Sequence, residues 1–404
     1  METPKRALLL ENIHPDAAAR LTKAGYDVST TTRALGTDEL IDALAGVSLL
    51  GIRSQTHITE RVFASAPDLL AVGAFCIGTN QIDLASAASH GVPVFNAPFS
   101  NTRSVVELAI AEIISMARRL PEKNFSMHSG VWNKSAKGAH EVRGRTLGIV
   151  GYGNIGTQLS VIAEALGMRV YFYDIADKLA IGNARRCSTL EELLESVETV
   201  TLHVDGRSGN RGFFGEAEFS KMRPRSLFLN LSRGFVVDHA ALRENILSGH
   251  IAGAAVDVFP AEPKGRGDEF TSELRGLPNV ILTPHIGGST EEAQQDIGGF
   301  VSGKLVDYAE GGATSMSVNF PGVAEPLVPG MHRIIHLHKN VPGVLAAINR
   351  TLASRGVNVE RQLLRTAGEL GYVLTDTSTS FGEEVLDELR AMDVTIRLRT
   401  IEPE

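Results

Sequence analysis

The sequence predicts an α/β chain in which two doubly wound parallel-sheet domains precede a small C-terminal domain of βαββαβ order. Three observations predict it. Short apolar runs alternate with helical patterns from the N-terminus to about residue 310, which implies parallel sheets with helices on both faces. A strand, glycine turn, helix, strand and acid follow one another between residues 146 and 174. A stretch carrying prolines and glycines at 318–330 then separates a last segment with its own plan.

Residues 7–10 read as a strand, 15–24 as a helix, 38–45 as a second helix and 47–52 as a buried strand ending at Arg53-Ser54. Residues 69–75 and 92–95 are further strands. Ser104-Val105-Val106-Glu107 has the form of a capping box, predicting a long apolar helix to about Arg118. Past the glycine turn, strands are expected at 199–204, 226–231, 253–259 and 280–283, and a helix from about residue 290 to Glu310. In the last segment, strands are expected at 332–338, 357–365, 372–376 and 394–399, with helices at 342–354 and 383–392.

The glycine turn reads Val150-Gly151-Tyr152-Gly153-Asn154-Ile155-Gly156. Gly151 allows the tight turn, Gly153 admits a pyrophosphate close to the backbone, and Gly156 lets helix and sheet approach. The unpaired N–H groups of the helix start then face phosphate oxygens. Asp174 ends the next strand, 18 residues past Gly156, where a carboxylate accepts hydrogen bonds from a ribose. It repels a 2′-phosphate, and Ile175-Ala176-Asp177 offers no Arg to bind one, so NAD is expected rather than NADP. The unit is therefore Rossmann-like. Its later strands each end in a polar residue: Asp205, Ser232-Arg233, Glu262 in a Pro-Ala-Glu turn, and His285. Ligands of an open α/β sheet bind beyond the carboxyl ends of its strands, so this edge is the expected active site.

Composition narrows the class. A net charge of −8 argues against nucleic acid or an anionic membrane as the main partner. Two cysteines, Cys76 and Cys187, suggest a reducing compartment without a disulfide framework. No signal peptide or membrane-spanning run is evident, so a cytoplasmic location is expected, and no metal centre.

The motifs resemble those of the D-isomer-specific 2-hydroxyacid dehydrogenases over nearly the whole chain. The residues that carry the likeness are the glycine turn, Asn230-Leu231-Ser232-Arg233-Gly234, Asp257-Val258-Phe259-Pro260-Ala261-Glu262-Pro263 and Thr283-Pro284-His285-Ile286-Gly287-Gly288-Ser289. Gly51-Ile52-Arg53-Ser54, Phe75-Cys76-Ile77-Gly78-Thr79-Asn80-Gln81 and the run from Asn96 to Val105 are similar to the bacterial branch that oxidises D-3-phosphoglycerate and carries one ACT domain. That resemblance implies a discontinuous substrate-binding domain (1–101 and 289–320), an NAD-binding domain (102–288) and an ACT domain (331–404); the linker between them (321–330), read from its prolines and glycines, is expected to let the C-terminal domain move relative to the rest. The resemblance also implies a homotetramer, 3-phosphohydroxypyruvate as product, and the first step of phosphorylated L-serine biosynthesis, with reduction of 2-oxoglutarate as a side activity.

The chemistry requires a base near neutral pKa, which the resemblance assigns to His285. Glu262 would hold it in one tautomer, and Arg233 would clamp the substrate carboxylate with two donors. For the phosphate end the resemblance points to Arg53 and Ser54, with Asn101 near the carboxylate and Arg33 as a further cation. Gln55 stands where close relatives commonly have another Arg. Trp132 and Lys134 look like a segment that reaches a neighbouring subunit, Lys134 contributing to the substrate site. Around NAD the likeness adds Asn154, Ile155, His203, Val204, Leu231, Ser232, Arg233, Asp257, His285, Ile286, Gly287 and Gly288. In the ACT domain, His338, Asn340 and Asn358 resemble residues that bind serine as a feedback inhibitor. Two other readings are a dehydrogenase for another 2-hydroxy acid and an NAD-sensing scaffold of the corepressor type.

Overall fold

The computed structural model describes residues 5–263 and 267–402. It falls into two compact units, residues 1–98 with 294–404, and residues 99–293.

The first unit begins with β1 (Arg6–Leu9), α1 (Pro15–Lys23), β2 (Asp27–Thr30), α2 (Thr37–Ala43), β3 (Leu49–Ile52), α3 (Glu60–Ser65), β4 (Ala71–Ala74), α4 (Leu84–Ser89) and β5 (Val94–Asn96). These strands form one parallel sheet in the order β2-β1-β3-β4-β5. β3 and β4 are buried along their whole length, as central parallel strands must be. β2, Asp-Val-Ser-Thr, was not expected from the sequence. It lies at the edge, half-exposed and polar, and so carries no apolar run.

The second unit holds α5 (Thr102–Ala117), α6 (Leu120–His128), β6 (Thr146–Val150), α7 (Asn154–Ala165), β7 (Arg169–Tyr173), β8 (Arg185–Arg186), α8 (Leu190–Ser196), β9 (Thr199–Leu202), α9 (Glu216–Lys221), β10 (Ser226–Asn230), α10 (His239–Leu247), β11 (Ile251–Val256) and β12 (Val280–Leu282). Its seven strands are parallel, in the order β12-β11-β10-β9-β6-β7-β8. One core packs on each face: Leu193, Phe214, Phe219, Phe228 and Leu242 on one side, Val106, Ile113, Leu147, Leu159 and Phe172 on the other. The long helix expected here is present, but Ser104 is not its cap. The helix starts at Thr102 with Asn101 before it, and Ser104 lies inside, its hydroxyl 2.8 Å from Thr290 Oγ1. A Ser-x-x-Glu spacing cannot by itself distinguish a cap from the first turn.

α11 (Glu291–Gly311) leads back to the first unit. The chain ends in β13 (His332–Lys339), α12 (Val344–Ser354), β14 (Arg361–Ala367), β15 (Leu370–Thr377), α13 (Glu383–Arg390) and β16 (Thr395–Ile401). Their antiparallel sheet has the order β14-β15-β13-β16. β14 starts four residues later than the apolar run at Val357 predicts; Val357 and Val359 instead pack against the core under the helices. Along β13, Ile334 packs with α12 and α13, while Ile335 and Leu337 join Leu9, Phe95, Val301 and Tyr308 in one continuous core.

The mobility expected of the linker is not what its contacts support. Asn319 Oδ1 accepts from the Val94 N–H at 2.8 Å, and Val323 N–H donates to Thr314 Oγ1 at 3.0 Å. Arg333, 0% exposed, ion-pairs with Asp376 and donates to the carbonyls of Gly311, Glu325 and Pro326. Arg397 donates to the Leu69 carbonyl at 2.7 Å, and Arg399 to those of Tyr308 (2.6 Å) and Ala309 (3.0 Å). A buried guanidinium that loses these carbonyls would be left uncompensated, so separating the C-terminal sheet from α11 and β4 is costly. Prolines and glycines mark irregular backbone; the partners of its carbonyls decide whether it moves.

Candidate active site

The site is built at the carboxyl ends of β6, β7, β9, β10, β11 and β12. Gly151 leaves β6 with φ +93°, and a Cβ there would stand 2.6 Å from the His203 carbonyl oxygen. A Cβ on Gly156 would meet the Gly151 carbonyl oxygen at 2.4 Å. Gly153 caps α7, and nothing lies within 4 Å of where its Cβ would be. Backbone contact excludes a side chain at two of the glycines; at the third the space is open. Asp174 Oδ2 accepts from the Tyr152 N–H and Oδ1 from the Ala176 N–H, each at 2.8 Å, so its carboxylate is aimed back at the turn. His203 contacts Thr201 Oγ1 through Nε2 at 2.9 Å, and its buried Nδ1 has no partner among the described residues. Burial pushes its pKa down to about 4, which leaves the ring neutral. An open glycine cradle, a fixed carboxylate and a neutral unpartnered imidazole nitrogen fit a dinucleotide.

At the end of β10 a buried Asn230 organises the turn. Its Oδ1 accepts from Ser232 N–H (3.1 Å) and Oγ (2.8 Å), and its Nδ2 donates to the Arg233 carbonyl at 3.1 Å. Leu231 is buried behind it. Arg233 is half-buried, with Nη1 donating to the Ser232 carbonyl at 2.8 Å. Gly234 permits this, because a Cβ there would lie 2.0 Å from the Phe259 carbonyl carbon.

Asp257, 1% exposed, directly follows β11. Its Oδ1 accepts from Thr283 Oγ1 (2.6 Å) and the Ile286 N–H (2.8 Å), and its Oδ2 from the Gly287 N–H (2.8 Å). Three bonds thus fix the loop on both sides of His285, whose own φ is +54°. His285 Nδ1 lies 2.8 Å from Glu262 Oε2, and Glu262 Oε1 accepts from the Phe259 N–H at 3.1 Å. The hydrogen bond to Glu262 raises the imidazole pKa against the opposing effect of burial. Burial is the largest single effect on the Glu262 carboxyl and pushes it up, but the bond to His285, the charges of His285 and Arg233 and the Phe259 N–H together outweigh it, and the net shift is downward. Both directions describe one pair, proton on His285 Nδ1 and charge on Glu262, with Nε2 left to exchange a proton.

Asn101 stands before α5 with its Oδ1 buried and unpartnered among the described residues, and Gly288 packs so close that a Cβ would meet Asn101 Nδ2 at 2.3 Å. Lys134 is exposed on the stretch after α6, beside Trp132, which is 79% exposed. Val204, Asn154, Ile155 and Ile286 line the same edge as the glycine turn and the His285 loop, partly exposed. Arg53 and Ser54 belong to the other unit, directly after β3. There Gln81 Nε2 donates to the Arg53 carbonyl at 2.5 Å, and Glu11 accepts from the N–H groups of Gln55 (2.9 Å) and Thr56 (2.8 Å). Arg33 ion-pairs with Glu39 at 3.1 Å. His338 is buried at the end of β13, Asn340 donates to the Gly368 carbonyl, and Asn358 donates to Glu360. Among the described residues no hydrogen bond joins these three side chains.

Two residues were missed from the sequence. Glu11, with φ +62°, holds the loop after Arg53. Glu112 of α5, 3% exposed, has both carboxyl oxygens unpartnered among the described residues; burial, reinforced by Asp257, raises its pKa to about 8. A Glu at a buried position of an apolar helix was the available signal.

Residues 110–287 match a family model described as the NAD binding domain of D-isomer specific 2-hydroxyacid dehydrogenases, and residues 334–397 one described as an AHAS small subunit-like ACT domain. The chain is 48% identical over 395 residues to a Haemophilus influenzae protein named D-3-phosphoglycerate dehydrogenase, covering 98% of this chain and 96% of that one. It is 49% identical over 397 residues to the Escherichia coli K12 protein of the same name, covering 98% and 97%. A solved structure of D-2-hydroxyisocaproate dehydrogenase shares the fold, with a TM-score of 0.71 at 23% identity over 78% of this chain and 99% of that one. No helix of the described residues is long and apolar enough to cross a membrane.

Proposed function

The chain belongs to the D-isomer specific 2-hydroxyacid dehydrogenase family, and from that premise we propose that it oxidises D-3-phosphoglycerate to 3-phosphohydroxypyruvate with NAD, the opening step of phosphorylated L-serine synthesis. The observation that carries the mechanism is the hydrogen bond between His285 Nδ1 and Glu262, on a loop that Asp257 holds at three points.

NAD, when bound, supplies the acceptor for the hydride that leaves C2 of the substrate. His285 takes the hydroxyl proton on Nε2 as the carbonyl forms. Glu262 keeps the Nδ1 proton in place and stabilises the imidazolium that results. Arg233 clamps the substrate carboxylate with its planar pair of donors. Asp174 would accept from the adenosine ribose of NAD, and the first turn of α7 would hold its pyrophosphate. Arg53 and Ser54 take the phosphate, with Asn101 and Lys134 contributing to the substrate site; Gln55 in place of another cation favours a moderate hold. Because His285 works as a base in oxidation, that direction speeds up as pH rises through its raised pKa. Reduction needs the protonated ring and follows the opposite slope.

The exposed Trp132, beside Val131 and Lys134, suits an aromatic anchor between subunits, in keeping with a homotetramer. We assign L-serine to the ACT domain at His338, Asn340 and Asn358, completed by a second ACT domain. The test compares NADH-dependent reduction of 3-phosphohydroxypyruvate with that of 2-oxoglutarate, with and without L-serine. A higher kcat/KM for the phosphorylated substrate, lowered by serine, supports the reading; preference for 2-oxoglutarate overturns the substrate assignment.

A further inference from the structure

The amino-terminal edge of the seven-stranded sheet, opposite the candidate active site, holds a cavity of about 300 Å³. Its wall includes Arg119, His140, Arg145, Arg223, Arg225 and Asn279. A Cβ on Gly138, another wall residue, would stand 3.1 Å from Arg119 Nη1 and 3.6 Å from Arg225 Nη2, so two guanidinium groups converge over one glycine. The N–H of His140 donates to the Ala117 carbonyl at 2.8 Å and holds that loop to the end of α5.

The charges do not cancel. Arg119 pairs with Glu122 through Nε and Nη2, both at 2.5 Å, which leaves Nη1. Arg145 pairs with Glu198 at 3.2 Å, and its buried Nε has no acceptor among the described residues. Arg223 and Arg225 have no ion-pair partner among the described residues. The excess is two positive charges. Asn279 adds an acceptor: it is 3% exposed, its Nδ2 donates to the carbonyls of Met116 (3.3 Å) and Ala252 (2.9 Å), and its Oδ1 is buried without a partner among the described residues. Those two carbonyls fix the amide orientation, so the unsatisfied atom is an oxygen that needs a donor.

The backbone points to the same place. Seven non-glycine residues among those described have positive φ, and three of them line this cavity: Arg119 (+54°), Arg225 (+66°) and Asn279 (+52°). Such conformations gather where a site constrains the chain, as His285 also illustrates.

We propose that this cavity binds a small dianion bearing a hydroxyl group, a phosphate monoester by chemical class. The phosphate would take the fork donors of Arg223 and Arg225 with Arg119 Nη1 and Arg145 Nε, and the hydroxyl would donate to Asn279 Oδ1. The site does not depend on the catalytic reading, since β10 and β12 carry it at one end and the Arg233 and His285 loops at the other.

The test uses the full chain with glycerol 3-phosphate, inorganic phosphate and glycerol as probes, read by calorimetry and by hydrogen exchange. Glycerol 3-phosphate should bind more tightly than inorganic phosphate and glycerol not at all, with slower exchange at 116–119, 138–140 and 223–227. Arg223→Ala with Arg225→Gly should weaken binding at least tenfold without lowering the thermal midpoint, because glycine suits φ +66°. Should that pair not fold, Arg225→Lys alone, which keeps the charge and loses the fork, should still weaken it measurably. Arg53→Ala should leave this binding unchanged. Absence of protection in these segments at millimolar probe, or affinity untouched by the Arg223 and Arg225 variants, overturns the proposal.

Discussion

Replacing Glu262 with Gln tests the pair at the centre of the mechanism. Two donors reach this side chain, the Phe259 N–H at Oε1 and His285 Nδ1 at Oε2. Gln supplies one oxygen, so one of the two donors must face an NH₂ group instead, at a cost of about 1 kcal/mol. The variant also removes the counter-charge for the imidazolium formed when His285 takes the proton. Two unit charges about 4 Å apart at an effective dielectric of 20 interact by ~4 kcal/mol. The two side chains are 49% and 38% exposed, and solvent screening cuts that contribution to about 1–2 kcal/mol. The sum, about 2–3 kcal/mol, predicts a loss of ~30–150-fold in kcat/KM for oxidation at neutral pH. The pH profile gives an independent sign. Glu262 is the leading cause that raises the His285 pKa, and oxidation needs the neutral ring, so the rising acid limb of kcat/KM should move to lower pH in the variant. The same pair contributes stability that is present while His285 is protonated and is lost as pH rises through its raised pKa. Initial rates from pH 5 to pH 9, with NADH affinity measured alongside, make the assay. A kcat/KM within twofold of the parent and an unmoved limb would refute the reasoning.

Other substitutions probe each end of the site. Asp174→Ala should weaken NAD and narrow its preference over NADP, read as the ratio of the two KM values; an unchanged ratio removes Asp174 from the ribose. Arg53→Ala should raise KM for 3-phosphoglycerate by a factor set by a charge-assisted contact of roughly 1.5–3 kcal/mol, with little effect on 2-oxoglutarate. Equal effects on both would place Arg53 away from the phosphate. Asn340→Ala should relieve inhibition by L-serine with basal activity intact; absence of serine binding by calorimetry in the parent would leave the ACT domain as an assembly unit.

The parts of this protein legible in its sequence are those in which one residue type answers one local demand. Gly151 and Gly156 sit where a Cβ would strike backbone, so the turn announced itself. The common placement of Asp174, Arg233, Glu262 and His285 was legible because parallel strands deliver their carboxyl ends to one edge. Features that depend on distant partners were not legible. The polar edge strand β2 is fixed by β1 rather than by its own apolar content. Glu112 gains its raised pKa from burial and Asp257, 145 positions away in the chain. The 318–330 stretch reads as mobile until Arg333 and Arg361 are seen to hold its carbonyls. The three left-handed residues of the cationic cavity, Arg119, Arg225 and Asn279, stand immediately before α6, β10 and β12, which no sequence window joins.

The central claim is that His285 exchanges the substrate proton, and one variant tests it most directly. NADH-dependent reduction of 3-phosphohydroxypyruvate by His285→Ala should fall by on the order of 10²–10⁴ in kcat, while fluorescence titration shows NADH bound nearly as in the parent. Near-normal kcat in that variant would contradict the account.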